Sequence, residues 1–196
     1  MRSATLLALV VAVAVAGGCA SSPRTDFYNL SRVAQATGAA PADYAVAVGP
    51  VTVPATVDRP QMVVRKGPNQ VAFEEYHQWG APLQDEIGRV VAGNLSTLLG
   101  TPRVAVFPRN TVEGARYRVA VDVTVFDTTP GEGAALDALW SVRSTKDGAV
   151  RGGRTTVTEA AKDGGHAALV AAHDRALGKL SGDIAAAIRA MEGAGG

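Results

Sequence analysis

Residues 116–127 read RYRVAVDVTVFD, where Tyr117, Val119, Val121, Val123 and Val125 alternate with Arg118, Asp122 and Thr124. Successive side chains of a strand point to opposite faces, so a period of two held this long defines a strand with one apolar and one polar face. The apolar face has to be covered by a second layer, and the chain carries two segments suited to the task. From Pro82, residues Leu83, Ile87, Val90, Val91, Leu95, Leu98 and Leu99 form one helical stripe, with Pro82 in the first turn and Gly100 followed by Pro102 as the stop. From about Gly165 to Met191, residues Leu169, His173, Leu177, Leu180, Ile184, Ile188 and Met191 form a second. Gly178 and Gly182 each weaken that helix by about 1 kcal/mol relative to Ala, so tertiary packing has to hold it.

Shorter extended segments surround these elements. Phe27 to Leu30 is a strand candidate, and Val46, Val48 and Val51 punctuate a second that Pro50, Pro54 and Pro60 confine to an edge or irregular path. Gln61 to Lys66 and Gln70 to Tyr76 flank a Gly67-Pro68-Asn69 turn, and Val104 to Phe107 is short. Leu136 to Ser144 and Ala149 to Ala160 flank Asp147-Gly148, a primed-turn hairpin signal. The fold class expected is α/β: a mixed or largely antiparallel sheet with two long helices packed on it, in a single domain.

No covalent staple supports this core. Cys19 is the only cysteine and the histidines number three, so neither an internal disulfide nor a structural zinc cluster is expected. Arg2 precedes an unbroken run of Leu, Ala and Val from Leu6 to Ala16, then Gly17 and Gly18 lead into Cys19. That is the layout of a secretory signal peptide, and its apolar run is about half of the roughly 20 residues that cross a bilayer as a helix. Small residues ending at a cysteine resemble the lipobox of bacterial lipoproteins. The resemblance implies a diacylglyceryl group on Cys19, cleavage between Gly18 and Cys19, and acylation of the new amino terminus. Several acyl chains make a stable anchor where one holds only marginally. The resulting division is a signal peptide at 1–18, a lipidated tether at 19–26, one domain at 27–192 and a disordered tail at 193–196.

Cleavage removes only Arg2 from the charge count, leaving 18 basic residues against 18 acidic ones. A neutral mature chain carries no electrostatic footprint for nucleic acid. Catalysis is equally poorly supplied. No Gly-x-Ser-x-Gly occurs, and Gly131-Glu132-Gly133 lacks the third glycine of a phosphate-binding loop. His166 and His173 lie seven residues apart on one helix, about 10 Å, too far to share a metal. His173 sits on the apolar stripe and reads as a core histidine. Glu74-Glu75 alternate across a strand and Asp85-Glu86 occupy a first helical turn, both as solvated acids. No catalytic residue, metal or cofactor is expected. Arg59, Gln61 and Arg65 lie in a proline-rimmed extended stretch, and with Trp79 they are the candidate partner interface, Arg and Trp being common interface anchors. Trp140 reads as core.

Val57 to Arg65 (VDRPQMVVR), Asn69, then His77 to Leu83 (HQWGAPL) running into the first helix resemble the ABC-type transport auxiliary lipoprotein family, the PqiC-like proteins. That family's lipobox cysteine is followed by a Phe/Tyr-Tyr-x-Leu strand, here Phe27 to Leu30. A Gly-Pro-Val-x-Val-Pro segment comes next, here Gly49 to Pro54, and then a Trp-x-x-Pro-Leu lead into the helix, here Trp79, Pro82 and Leu83. The resemblance covers nearly the whole mature chain. It implies a non-catalytic periplasmic partner of an MCE-domain protein and its permease in lipid transport, supporting envelope integrity and able to form a homo-oligomer. Ala20 stands where inner-membrane retention in enteric bacteria uses Asp, which favours the outer membrane. The alternative is a lipoprotein that regulates a cell-wall or envelope enzyme.

Overall fold

The computed structural model describes residues 23–108 and 114–194. Along the chain run β1 (Asp26–Tyr28), β2 (Val46–Thr52), β3 (Gln61–Gly67), β4 (Gln70–Trp79), α1 (Leu83–Leu99), β5 (Val104–Val106), β6 (Tyr117–Thr129), β7 (Gly133–Ser144), β8 (Val150–Ala160) and α2 (His166–Ala194). The strands form one mixed sheet organised around β6. One edge of β6 pairs along its whole length with β7, antiparallel, and β7 with β8. The other edge is shared: β2 lies parallel to its first half and carries β5, while β3 meets it at Thr128 and carries β4, then β1. Helix α1 packs on β2 and β5, and α2 on β6, β7 and β8, with one core between sheet and helices. The expected α/β class holds, and α2 continues to Ala194, two residues into the stretch expected as tail.

Both helical stripes are buried, with Leu98 and Met191 only partly so. Pro82 takes an extended ψ of 130° and its carbonyl accepts from Asp85 and Glu86, while Gly100 closes α1 at φ 67°, where the left-handed backbone favours glycine. The far end of α2 is tied to the start of β6. The Tyr117 hydroxyl donates to Glu192 Oε1 at 2.6 Å, and burial together with that bond pushes the phenol up to about 12.

Three expectations change. The alternation in β6 stops at Val123, because Val123 pairs with Ala138 and Val125 with Asp137, which leaves Thr124 as an extra residue in a bulge. Thr124 Oγ1 donates to the Asp137 carbonyl at 3.1 Å. Beyond the bulge the phase is reversed, so Phe126 and Thr128 are buried and Val125 only partly. Next, β2 is an interior strand despite Pro50. Gly49 and Pro50 fall where the register with β6 shifts between Val48 and Val51, so the missing N–H is not asked to pair. Last, β7 and β8 do form a hairpin, but over a four-residue loop, 145–148. It is closed by Ser144 N–H donating to the Ala149 carbonyl at 2.8 Å, with Gly148 at φ 75°.

Between β1 and β2 the chain lies as a strap over the seam of the two helices. Its amides are taken by side chains: Leu30 N–H donates to Glu86 Oε2 at 2.8 Å, Ser31 N–H to Asp174 Oδ1 at 2.7 Å, and Val33 and Ala34 N–H to Asn94 Oδ1 at 3.0 and 3.1 Å. Glu86, Asn94 and Asp174 are all buried. Glu86 is therefore a structural acceptor and not the solvated acid the sequence implied, its position held by Arg89, which also donates to the Leu30 carbonyl.

Candidate functional site

Gly18 and Cys19 lie outside the described residues. Of the other four candidates, Arg59, Gln61 and Trp79 lie where β3 begins and β4 ends, while Arg65 lies at the turn end of that hairpin, opposite Val71. Trp79 is 5% exposed, set edge-on to Phe126 at 6.1 Å and to His173 at 6.4 Å, and its main-chain N–H donates to the Pro60 carbonyl at 2.7 Å. It thus plugs the core and pins the 58–61 segment to the end of β4. Arg65 donates twice to Asp127 of β6 and once to the Pro68 carbonyl, so its charge is spent within the sheet. Gln61 Nε2 reaches Glu75 Oε2 at 3.5 Å. Arg59 lies over the Phe73 ring, 3.9 Å from guanidinium carbon to centroid, and its Nε is buried without a hydrogen-bond partner among the described residues. Phe73 remains 45% exposed and Val71, two residues before it on the same face of β4, is exposed as well, so Arg59 borders a small exposed apolar patch with a cation at its rim.

The histidines divide into two sites. His173 is fully buried, its Nε2 2.8 Å from Thr128 Oγ1 and its ring stacked on Phe126 at 3.9 Å. Burial pushes it down to about 3, so it is neutral throughout the ordinary range. A hydroxyl beside an imidazole has the look of a nucleophile and base, but Thr128 is 2% exposed and offers a substrate no approach.

His77 and His166 meet although 89 positions separate them: their rings stack at 3.6 Å and 15°. Tyr28 Oη lies 3.2 Å from His77 Nδ1, and Glu74 Oε2 lies 3.9 Å from His166 Nε2. The expectation that no ligand set exists counted Cys and His alone. Sequence reasoning missed this group because β4 and the first turn of α2 come together only through the sheet. The one local signal was the spacing of Glu74 and His77, three apart in a strand that the register shift between Gln61 and Met62 interrupts.

The chain's residues 28–185 match the family model of the ABC-type transport auxiliary lipoprotein component. The chain belongs to that family. Among solved structures, a Xanthomonas campestris protein of the DUF330 family is similar at 18% identity with a TM-score of 0.64, over 82% of this chain and 92% of its own. A protein of uncharacterised function is similar at 18% identity and TM-score 0.70, over 85% of this chain and 99% of its own. These likenesses show the fold. No curated protein matches in sequence. An auxiliary component accords with a non-catalytic role, and among the described residues no helix is long and apolar enough to cross a membrane.

Proposed function

We propose that this auxiliary lipoprotein is a non-catalytic subunit of an MCE-type ABC lipid transport system. It is held at the periplasmic face of the outer membrane by acyl chains on Cys19 and helps keep the envelope intact. The family match over residues 28–185 carries this reading. Anchor geometry supports it: Phe27 of β1 is eight residues from Cys19, a span of no more than about 27 Å fully extended, which keeps the folded body close to its bilayer. The docking surface we propose is the apolar patch of Phe73 and Val71 with Arg59 and Gln61 at its rim, Arg65 and Trp79 fixing the strands beneath. The MCE-domain protein binds there and the lipoprotein assembles as a homo-oligomer.

Cross-linking in native membranes followed by capture of the lipoprotein is expected to recover an MCE-domain protein with its permease. A peptidoglycan synthase in their place makes the chain a regulator of a cell-wall enzyme and overturns the proposal. Arg59→Glu is expected to cut the MCE protein recovered by about tenfold, equivalent to about 1.4 kcal/mol, with a stability loss limited to about 0.5–1 kcal/mol, the contribution of its cation–π contact with Phe73. Mass spectrometry of the mature chain is expected to show acylated Cys19 as its first residue.

A further inference from the structure

We propose that Glu74, His77 and His166 form a site for a divalent transition metal, with zinc the best-matched ion, that clamps β4 to the first turn of α2 beside the tether strand β1. Each residue offers one donor atom, and these atoms all lie within 4.8 Å of one another. Zinc takes imidazole nitrogen and carboxylate oxygen at about 2.0–2.2 Å, which sets its ligands roughly 3.3–3.6 Å apart in a tetrahedron. The gap to close is therefore about an ångström. All three side chains are half-buried, and closing it takes their rotation, including a tilt that brings the two stacked rings to converge on one ion.

The surroundings fit such an ion in three respects. Tyr28 Oη occupies His77 Nδ1 and leaves the other ring nitrogen for the metal, the outer contact that fixes tautomer and ring direction at metal-bound histidines. Glu74 divides its two oxygens, Oε1 lying 3.8 Å from Lys66 Nζ and Oε2 facing His166, so the oxygen nearest the imidazoles is the one not engaged by the lysine. Asp26 lies opposite His77 in the β1–β4 register and adds negative charge near the fourth position.

Two imidazoles with one carboxylate suit zinc, copper or nickel over magnesium or calcium, which seek oxygen ligands. Lys66 and the positive end of α2 oppose any cation here, which holds the affinity below that of a closed structural site.

The test uses the untagged, lipidated full chain in detergent, stripped with chelator and titrated with Zn²⁺ by calorimetry. The expected result is one ion per chain, with magnesium giving no saturable heat. His77→Ala and His166→Ala each weaken zinc binding by more than tenfold, and Tyr28→Phe by about tenfold through loss of the outer contact. Zinc also raises the melting temperature of the wild type and leaves that of His166→Ala unchanged. Should either alanine variant fold poorly, Glu74→Gln and Tyr28→Phe, which preserve shape, read the same site. Absence of saturable binding in the wild type, or equal affinity in every variant, overturns the proposal.

Discussion

His173 combines a fully buried imidazole with a single hydrogen bond to Thr128, and the consequence is a dependence of stability on acid. In the fold burial pushes its pKa down to about 3, against about 6.5 for an imidazole in water. The unfolded chain therefore binds a proton here as pH falls below 6.5 while the folded chain does not. This group's contribution is complete above that pH and is lost progressively as pH drops towards 3, at up to about 1.4 kcal/mol per pH unit. Urea unfolding at pH 7.5 and pH 5.0 is expected to show it. Replacing His173 with Phe removes the titrating group at the cost of leaving the Thr128 hydroxyl buried without its partner, about 1–3 kcal/mol at pH 7.5. The variant starts less stable but loses roughly 2 kcal/mol less between the two pH values than the wild type does. The difference isolates His173 from other titrating groups, and parallel losses in the two proteins would refute the assignment.

Elements were largely readable from the sequence because period and burial coincide in them. The stripe from Leu169 to Ile188 is buried at each expected position, including His173. Reading failed where one residue changes the phase. Thr124 adds a residue to β6 opposite Ala138 and Asp137, and no composition signal separates it from its neighbours in VDVTVFD. Pro50 marked the irregular path that the structure has there, but not that the strand is interior, since a bulge hides a missing donor that a regular ladder would expose. The two helical glycines of α2, alike in sequence, are unlike in the fold. A Cβ at Gly182 meets nothing within 4 Å, whereas one at Gly178 lies 2.9 Å from Val33 Cγ2 of the strap. Gly182→Ala is expected to stabilise by about 0.5–1 kcal/mol, raising the melting temperature by about 1–4 °C. Gly178→Ala gains nothing or loses stability, and pairing it with Val33→Ala restores the helix gain. Equal thermal shifts for the two single variants would show that the strap does not press on α2.

At the scale of the molecule, the strap is what carries the chain from β1 across the helical layer to β2. It has almost no apolar content to bury between Ser31 and Ala42 beyond Val33 and scattered alanines, so its position depends on polar acceptors planted in the helices. Asn94 is the central one. It is fully buried, takes two strap amides on Oδ1, and its Nδ2 donates to Ser181 Oγ at 3.3 Å across the α1–α2 seam. A polar residue inside the stripe between Val91 and Leu95 was visible in the sequence, but what it receives was not, because its partners lie about sixty residues earlier and eighty-seven later. The histidine cluster was hidden by the same long-range geometry. Asn94→Ala removes an acceptor from two amides and a donor from Ser181, a loss of about 2–4 kcal/mol if the hydrogen bonds contribute about 1 kcal/mol each and a small cavity remains. Leu95→Ala, one residue on, costs about 2–5 kcal/mol through cavity formation alone and leaves the strap bonded. The two variants thus separate local release from general weakening. Arg32, an exposed trypsin site in the middle of the bonded stretch, reports the difference. Under brief digestion Asn94→Ala is expected to be cut after Arg32 at least about tenfold faster than Leu95→Ala, the ratio that corresponds to about 1.4 kcal/mol of local opening. Release of the strap leaves β1 joined to the sheet only through β4 among the described residues. Equal cleavage rates at Arg32 in the two variants would mean that the strap is held by something other than these acceptors.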